Sequence, residues 1–125
     1  MEQLSQLVSI LEELARTGQT LTYIEMADRL DLQGAHRITR LALMLEEVMS
    51  LDASHGEPLR AALVVSRCAP HLPRPGFFDC ARRLGLLNDL SPEQFHAKMY
   101  ELLRAKYSPS EETNYVQREI SQKSS

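Results

Sequence analysis

The chain of 125 residues has no tryptophan, only two cysteines, and no apolar run near the length of a membrane span. The missing tryptophan carries no sharp meaning, but the other two absences exclude whole classes of protein. A helix that crosses a bilayer needs about 20 consecutive apolar residues, so no membrane partner is expected. Cys68 and Cys80 cannot build a disulfide framework, which fits a reducing compartment. The amino terminus, MEQLSQLVSILEELAR, is acidic and amphipathic where a secretion signal is basic and then apolar. The expected location is therefore cytoplasmic.

Motifs for chemistry are also missing. There is no phosphate-cradling glycine loop, no paired-acid constellation and no serine elbow. Cys68 and His71 have the spacing of a metal-ligand pair, with Cys80, His55 or His96 to complete a set, but a zinc signature needs a second close Cys/His pair and none exists. The pair reads instead as a loop histidine beside a partly buried thiol. A nucleophilic Cys68 would need an identifiable base and an orienting group, which the spacing does not supply. Cys80, next to Phe77 and Phe78 by helical spacing, reads as a small buried residue. The chain is read as non-enzymatic, with no cofactor and no metal.

What is present is an ordinary globular composition, 43% hydrophobic and 25% charged, in a length that suits one domain with a real core. The chain is organised around Ala35 to Leu51. There Ile38, Leu41, Ala42, Leu45, Val48 and Met49 recur at helical spacing, and Leu43 and Met44 widen the stripe until only a narrow face is polar. Such a helix calls for partners on most sides. Its charges run backwards for a helix: His36, Arg37 and Arg40 sit at the start, where the dipole favours anions, and Glu46 and Glu47 sit toward the end. Either the arginines pair with nearby carboxylates, or the helix start binds an anion.

The net charge of −3 argues against coating nucleic acid by bulk charge. Its distribution is uneven. Residues 1–28 carry one basic and five acidic side chains; residues 29–83 carry eight basic ones, all arginine, against six acidic. Those are Arg29, Arg37, Arg40, Arg60, Arg67, Arg74, Arg82 and Arg83, whose planar forks suit phosphate or carboxylate.

Along the chain, Glu2 to Thr17 is an amphipathic helix terminated by Gly18. Thr22 and Glu25 form a capping box that starts a second helix, from Tyr23 to about Leu30, burying Ile24, Ala27 and Leu30. Asp31 to Gly34 is a turn in which Leu32 plugs the core. Asp52 to Pro58 is turn chemistry, and Ala61 to Val65 reads as a buried strand whose best neighbour is the link Gln19 to Thr22. Three prolines between Arg67 and Gly76 forbid a regular element and stiffen an exposed loop. Phe77 to Leu84 is a short helix closed by Gly85, and Ser91 with Gln94 caps a last helix that ends before Pro109. The fold class expected is mainly α: a helix-turn-helix or winged-helix-like single domain over residues 1–108 with a minimal β component. Residues 109–125 form a polar tail, a frayed helix or disordered.

Two resemblances follow from particular runs. LTYIEMADRLDLQGAHRITRLALML resembles the winged-helix part of the alkylguanine alkyltransferases and alkyltransferase-like proteins. Thr22 and Tyr23 match that pattern, and Arg37 falls where the family's arginine enters the duplex. The family's Pro-Cys-His-Arg is absent, because Cys68 lies between Arg67 and Ala69, so alkyl transfer is not implied. Glu57-Pro58-Leu59, Leu63-Val64-Val65 and Pro75-Gly76-Phe77-Phe78 are similar to runs in a group of small uncharacterised bacterial proteins, with one glycine of the last run missing. That likeness implies a winged-helix-like fold and does not point to any particular activity.

Two functions of different class are consistent with these features. One is binding of double-stranded DNA by His36, Arg37 and Arg40 at the helix start together with Arg67 and Arg74 in the proline loop. The other is a protein-interaction module that binds itself, as a homodimer, or another protein, favoured by the acidic first helix and polar tail.

Overall fold

In the computed structural model, residues 2–107 are described; the polar segment 109–125 lies outside them. The described residues form a mainly α fold in the order α1 (Glu2–Thr17), β1 (Leu21–Thr22), α2 (Tyr23–Arg29), α3 (Arg37–Ser54), a 3-10 helix (Arg60–Leu63), β2 (Val64–Val65), α4 (Pro75–Arg83) and α5 (Pro92–Tyr107).

Each helix boundary has a local cause. α1 buries Leu7, Ile10, Leu11, Leu14 and Ala15, and stops where Gly18 adopts φ +75° and Gln19 N–H reaches back 3.0 Å to the Leu14 carbonyl. α2 starts with the expected capping box: Thr22 Oγ1 accepts from Glu25 N–H at 3.1 Å, and Glu25 Oε1 accepts from Thr22 N–H at 2.9 Å. α5 repeats the device with Ser91 and Gln94 at 3.1 and 3.0 Å. Its far end is used as well: Arg104 Nη1 donates to the carbonyls of Ala15 and Arg16, each at 3.0 Å, and Tyr100 donates to the Gly18 carbonyl at 2.7 Å. Two orphan carbonyls of α1, those of Ala15 and Arg16, are thus satisfied by α5.

Four expectations are corrected. Pro75 and Gly76, expected in the irregular loop, open α4, because a proline fits the first turn of a helix. α2 buries Tyr23, Met26 and Ala27 instead of Ile24, which is 47% exposed; the helix is rotated because the Tyr23 ring is the larger apolar body to hide. The apolar stripe of α3 is narrower than expected: Leu41, Leu45, Val48 and Met49 are buried, while Leu43 is 59% and Leu51 48% exposed. Ala61 to Val65 is not one strand. Its first part winds into the 3-10 helix because Asp52 Oδ2 accepts the Arg60 N–H at 3.0 Å and Ala62 N–H bonds the Leu59 carbonyl at 3.1 Å, leaving only Val64 and Val65 extended. The neighbour strand is the one anticipated: β1 pairs with β2 in parallel, Leu21 opposite Val64 and Thr22 opposite Val65.

The core is one cluster drawing on all five helices. Its centre is Leu7, Leu11, Met26, Leu41, Met49, Leu63, Phe95 and Leu103, with Phe77 edge-on to Phe78 at 5.0 Å between centroids. No helix among the described residues is long and apolar enough to cross a membrane.

Candidate functional site

The start of α3 lacks the usual stabilisers of a helix amino terminus. His36 occupies the N-cap without a side-chain hydrogen bond, and no acidic residue lies in the first turn. Of the two arginines there, Arg37 Nη1 sits 2.7 Å from Asp28 Oδ1 at the end of α2. The Arg40 guanidinium donates to the Gln33 carbonyl in the connecting turn. His36, Thr39 and Arg40 are exposed and Arg37 half-buried. Further along the helix the acids are partly spoken for, with Glu46 Oε1 3.6 Å from Arg83 Nη2.

The proline loop is held by its own backbone. Ser66 N–H bonds the Leu72 carbonyl at 2.7 Å and His71 N–H the Cys68 carbonyl at 2.9 Å, leaving Arg67, Cys68 and His71 exposed. Cys68 is thus exposed, not the partly buried thiol that was expected; Leu72 and Pro73 are the loop residues turned toward the core. Where the loop enters α4, Arg74 N–H donates to the Tyr23 hydroxyl at 2.9 Å, and the Arg74 guanidinium carbon lies 5.6 Å from the Tyr23 ring centroid. Burial raises the Tyr23 pKa from its ordinary value, outweighing the Arg74 N–H and charge, which pull it down.

Two clefts share this Tyr23–Arg74 pair. The smaller, about 260 Å³, is lined by Ile24 of α2, Ile38 of α3, and Ser66 and Arg67 of the loop. The larger, about 390 Å³, lies between α3 and α4, with Thr39, Ala42 and Glu46 on one wall and Pro75, Gly76 and Phe77 on the other. The fold therefore brings Arg67 and Arg74 together beside the first turns of α3. Arg37 and Arg40 lie apart from them, against the α2–α3 turn; at 100° per residue Arg40 projects about 160° from Ala42 on the cleft wall. The five expected residues flank α3 from two sides instead of sharing one surface.

One of the eight middle-segment arginines is removed from any basic face. Arg60 is buried, with Nη2 2.7 Å from Asp52 Oδ1 and Nη1 2.8 Å from Glu12 Oε2. Burial alone would lower its pKa, but the Asp52 hydrogen bond and charge leave it above its ordinary value. A signal existed in the sequence: Asp52 continues the buried stripe of Leu45, Val48 and Met49, and an acid at a core position needs a cation. Sequence reading also missed both clefts, because they depend on how α4 closes against α3.

No group of three or more His, Cys, Asp or Glu side chains among the described residues is placed to hold a metal. Neither a family model, nor a curated protein, nor a solved structure matches the chain.

Proposed function

We propose that this is a winged-helix-like protein that binds double-stranded DNA without catalysing a reaction. The observation that carries the reading is the meeting of Arg67 and Arg74 with Ile38 at one cleft, beside a helix start that exposes His36, Thr39 and Arg40. In helix-turn-helix proteins the first residues of the second helix face base edges while neighbouring cations hold phosphates. A strand before α2, a glycine-containing turn and a longer α3 fit that scheme. The loop after β2 occupies the wing's place in the chain order, and it offers arginines in place of a hairpin.

The exposed Arg37–Asp28 bridge does not oppose this reading. Such pairs contribute about 0–1 kcal/mol, so a phosphate can replace the carboxylate. Fluorescence anisotropy on labelled duplex DNA across a salt series tests it. Binding should weaken linearly in log salt, and Arg40→Ala, Arg67→Ala and Arg74→Ala should each reduce the slope by about 1. No binding at low salt would end the reading.

A second reading rests on a separate observation. Leu43 and Leu51 on α3 are exposed beside Leu4 and Met44, forming an apolar patch edged by Glu46 and Glu47. This face would serve a protein partner or a second copy of the chain. Light scattering distinguishes the self-association form: a dimer that Leu43→Glu dissolves supports it, and a monomer at high concentration removes it.

A further inference from the structure

We propose that the larger cleft is a binding site for a small amphipathic carboxylate, a ligand with an aromatic or branched apolar body and one acid group. The site shares Arg74 and Thr39 with the DNA reading but does not require it, and its test contains no DNA, so either can fail without the other.

The cleft's volume, about 390 Å³, falls within the range of small-molecule sites, which are mostly apolar with few polar groups that fix orientation. Its floor is Leu45, Met49 and Phe77, side chains 4%, 1% and 6% exposed, so the apolar surface is already formed by the packed core and needs no rearrangement. At its mouth stands Arg74. Among the described residues no carboxylate lies within salt-bridge distance of this guanidinium. It is also held in place: the backbone N–H is tied to the Tyr23 hydroxyl and the guanidinium lies over the Tyr23 ring. A cation held by an aromatic face and lacking an anion is an acceptor site for a carboxylate, because its planar fork offers paired donors.

The other charge on the wall sets the direction. Glu46 already faces Arg83, so it makes little demand for a ligand cation, and it repels an acid from the α3 side. A bound carboxylate therefore points to Arg74 with the apolar body toward Met49 and Phe77. Thr39 adds a hydroxyl on the same rim.

The test is a titration of the ¹⁵N-labelled full-length protein with 3-phenylpropionate, and in parallel with its neutral amide, 3-phenylpropionamide, followed by amide chemical shifts. With the acid, shifts concentrated at Ala42, Glu46, Gly76 and Phe77 are expected, and the amide should bind about tenfold more weakly, the loss of one charge-assisted contact. Arg74→Gln should abolish the preference for acid over amide while the spectrum keeps its dispersion, since the anchoring bond uses the Arg74 backbone. Ala42→Phe, a substitution on the half-buried cleft wall, should block both ligands. Absence of shifts at millimolar acid, equal affinity for acid and amide, an Arg74→Gln protein that keeps the preference, or shifts centred on Leu43 would each overturn the proposal.

Discussion

Arg60 and Arg74 lie at the two ends of α3 and show what the fold does with the same side chain in two settings. At the carboxyl end Arg60 is buried, its fork shared by Asp52 and Glu12, and its own N–H given to Asp52, so α1, α3 and the 3-10 helix are joined at one point. At the amino end Arg74 is exposed, faces an aromatic ring and, among the described residues, has no carboxylate within salt-bridge distance. The first guanidinium is consumed by the structure; the second is available to a ligand. Charge count along the sequence treats them alike; burial and partners separate them.

The largest effect is expected from breaking the buried side of this comparison. Asp52→Ala leaves Arg60 buried without its main partner and should destabilise by about 3–5 kcal/mol, read as a lower urea midpoint with an unchanged m-value. Replacing both, as Asp52→Leu with Arg60→Met, should recover most of that loss. If Asp52→Ala cost no more than a surface substitution, Arg60 would belong with the solvated arginines.

Next in size is Tyr23→Phe, which removes the acceptor for the Arg74 N–H and should cost about 1 kcal/mol. It also carries a pH signature. Burial raises the Tyr23 pKa above its ordinary value of 10.0, so the unfolded chain ionises first. The stability linked to this group is intact below that value and is lost as pH rises through it. Unfolding measured on the alkaline side should therefore steepen for the unaltered protein and flatten for Tyr23→Phe.

Arg74→Ala should cost less than about 1 kcal/mol of stability, the worth of an exposed cation–π contact. Its effect belongs to binding: a lower salt slope on DNA. Smallest of all is Asp28→Asn, a few tenths of a kcal/mol in stability. Its sign on DNA is opposite to that of the arginine changes, because it frees Arg37, and tighter binding by anisotropy is the expected outcome.

Much of the fold was legible because its signals are local. The capping residues Thr22/Glu25 and Ser91/Gln94, the terminators Gly18 and Gly85, and the stripe of α1 each act within a few residues, and each stands where the pattern puts it. What was misread depends on distant partners. The apparent strand at Ala61 coils because Asp52, eight residues before Arg60, takes its N–H. Ile24 faces outward because the Tyr23 ring, whose hydroxyl meets Arg74 across 51 residues, takes the interior. The candidate site was half visible: residue types and loop were readable, but the separation of Arg37 and Arg40 from Arg67 and Arg74 was not, since it follows from the rotation of α3 about its axis.

The clasp of α5 on the end of α1 bears on the order of folding. Arg104 and Tyr100 reach carbonyls 82 to 89 positions earlier in the chain, so the end of α1 is completed by residues of α5. During synthesis the Ala15 and Arg16 carbonyls wait for the Arg104 side chain until residues beyond 100 leave the ribosome, and loop closure on that scale slows their pairing. Slow amide exchange in the last turn of α1 should rise and fall with the integrity of α5, and a chain shortened within α5 should lose protection at Ala15 to Gly18 first.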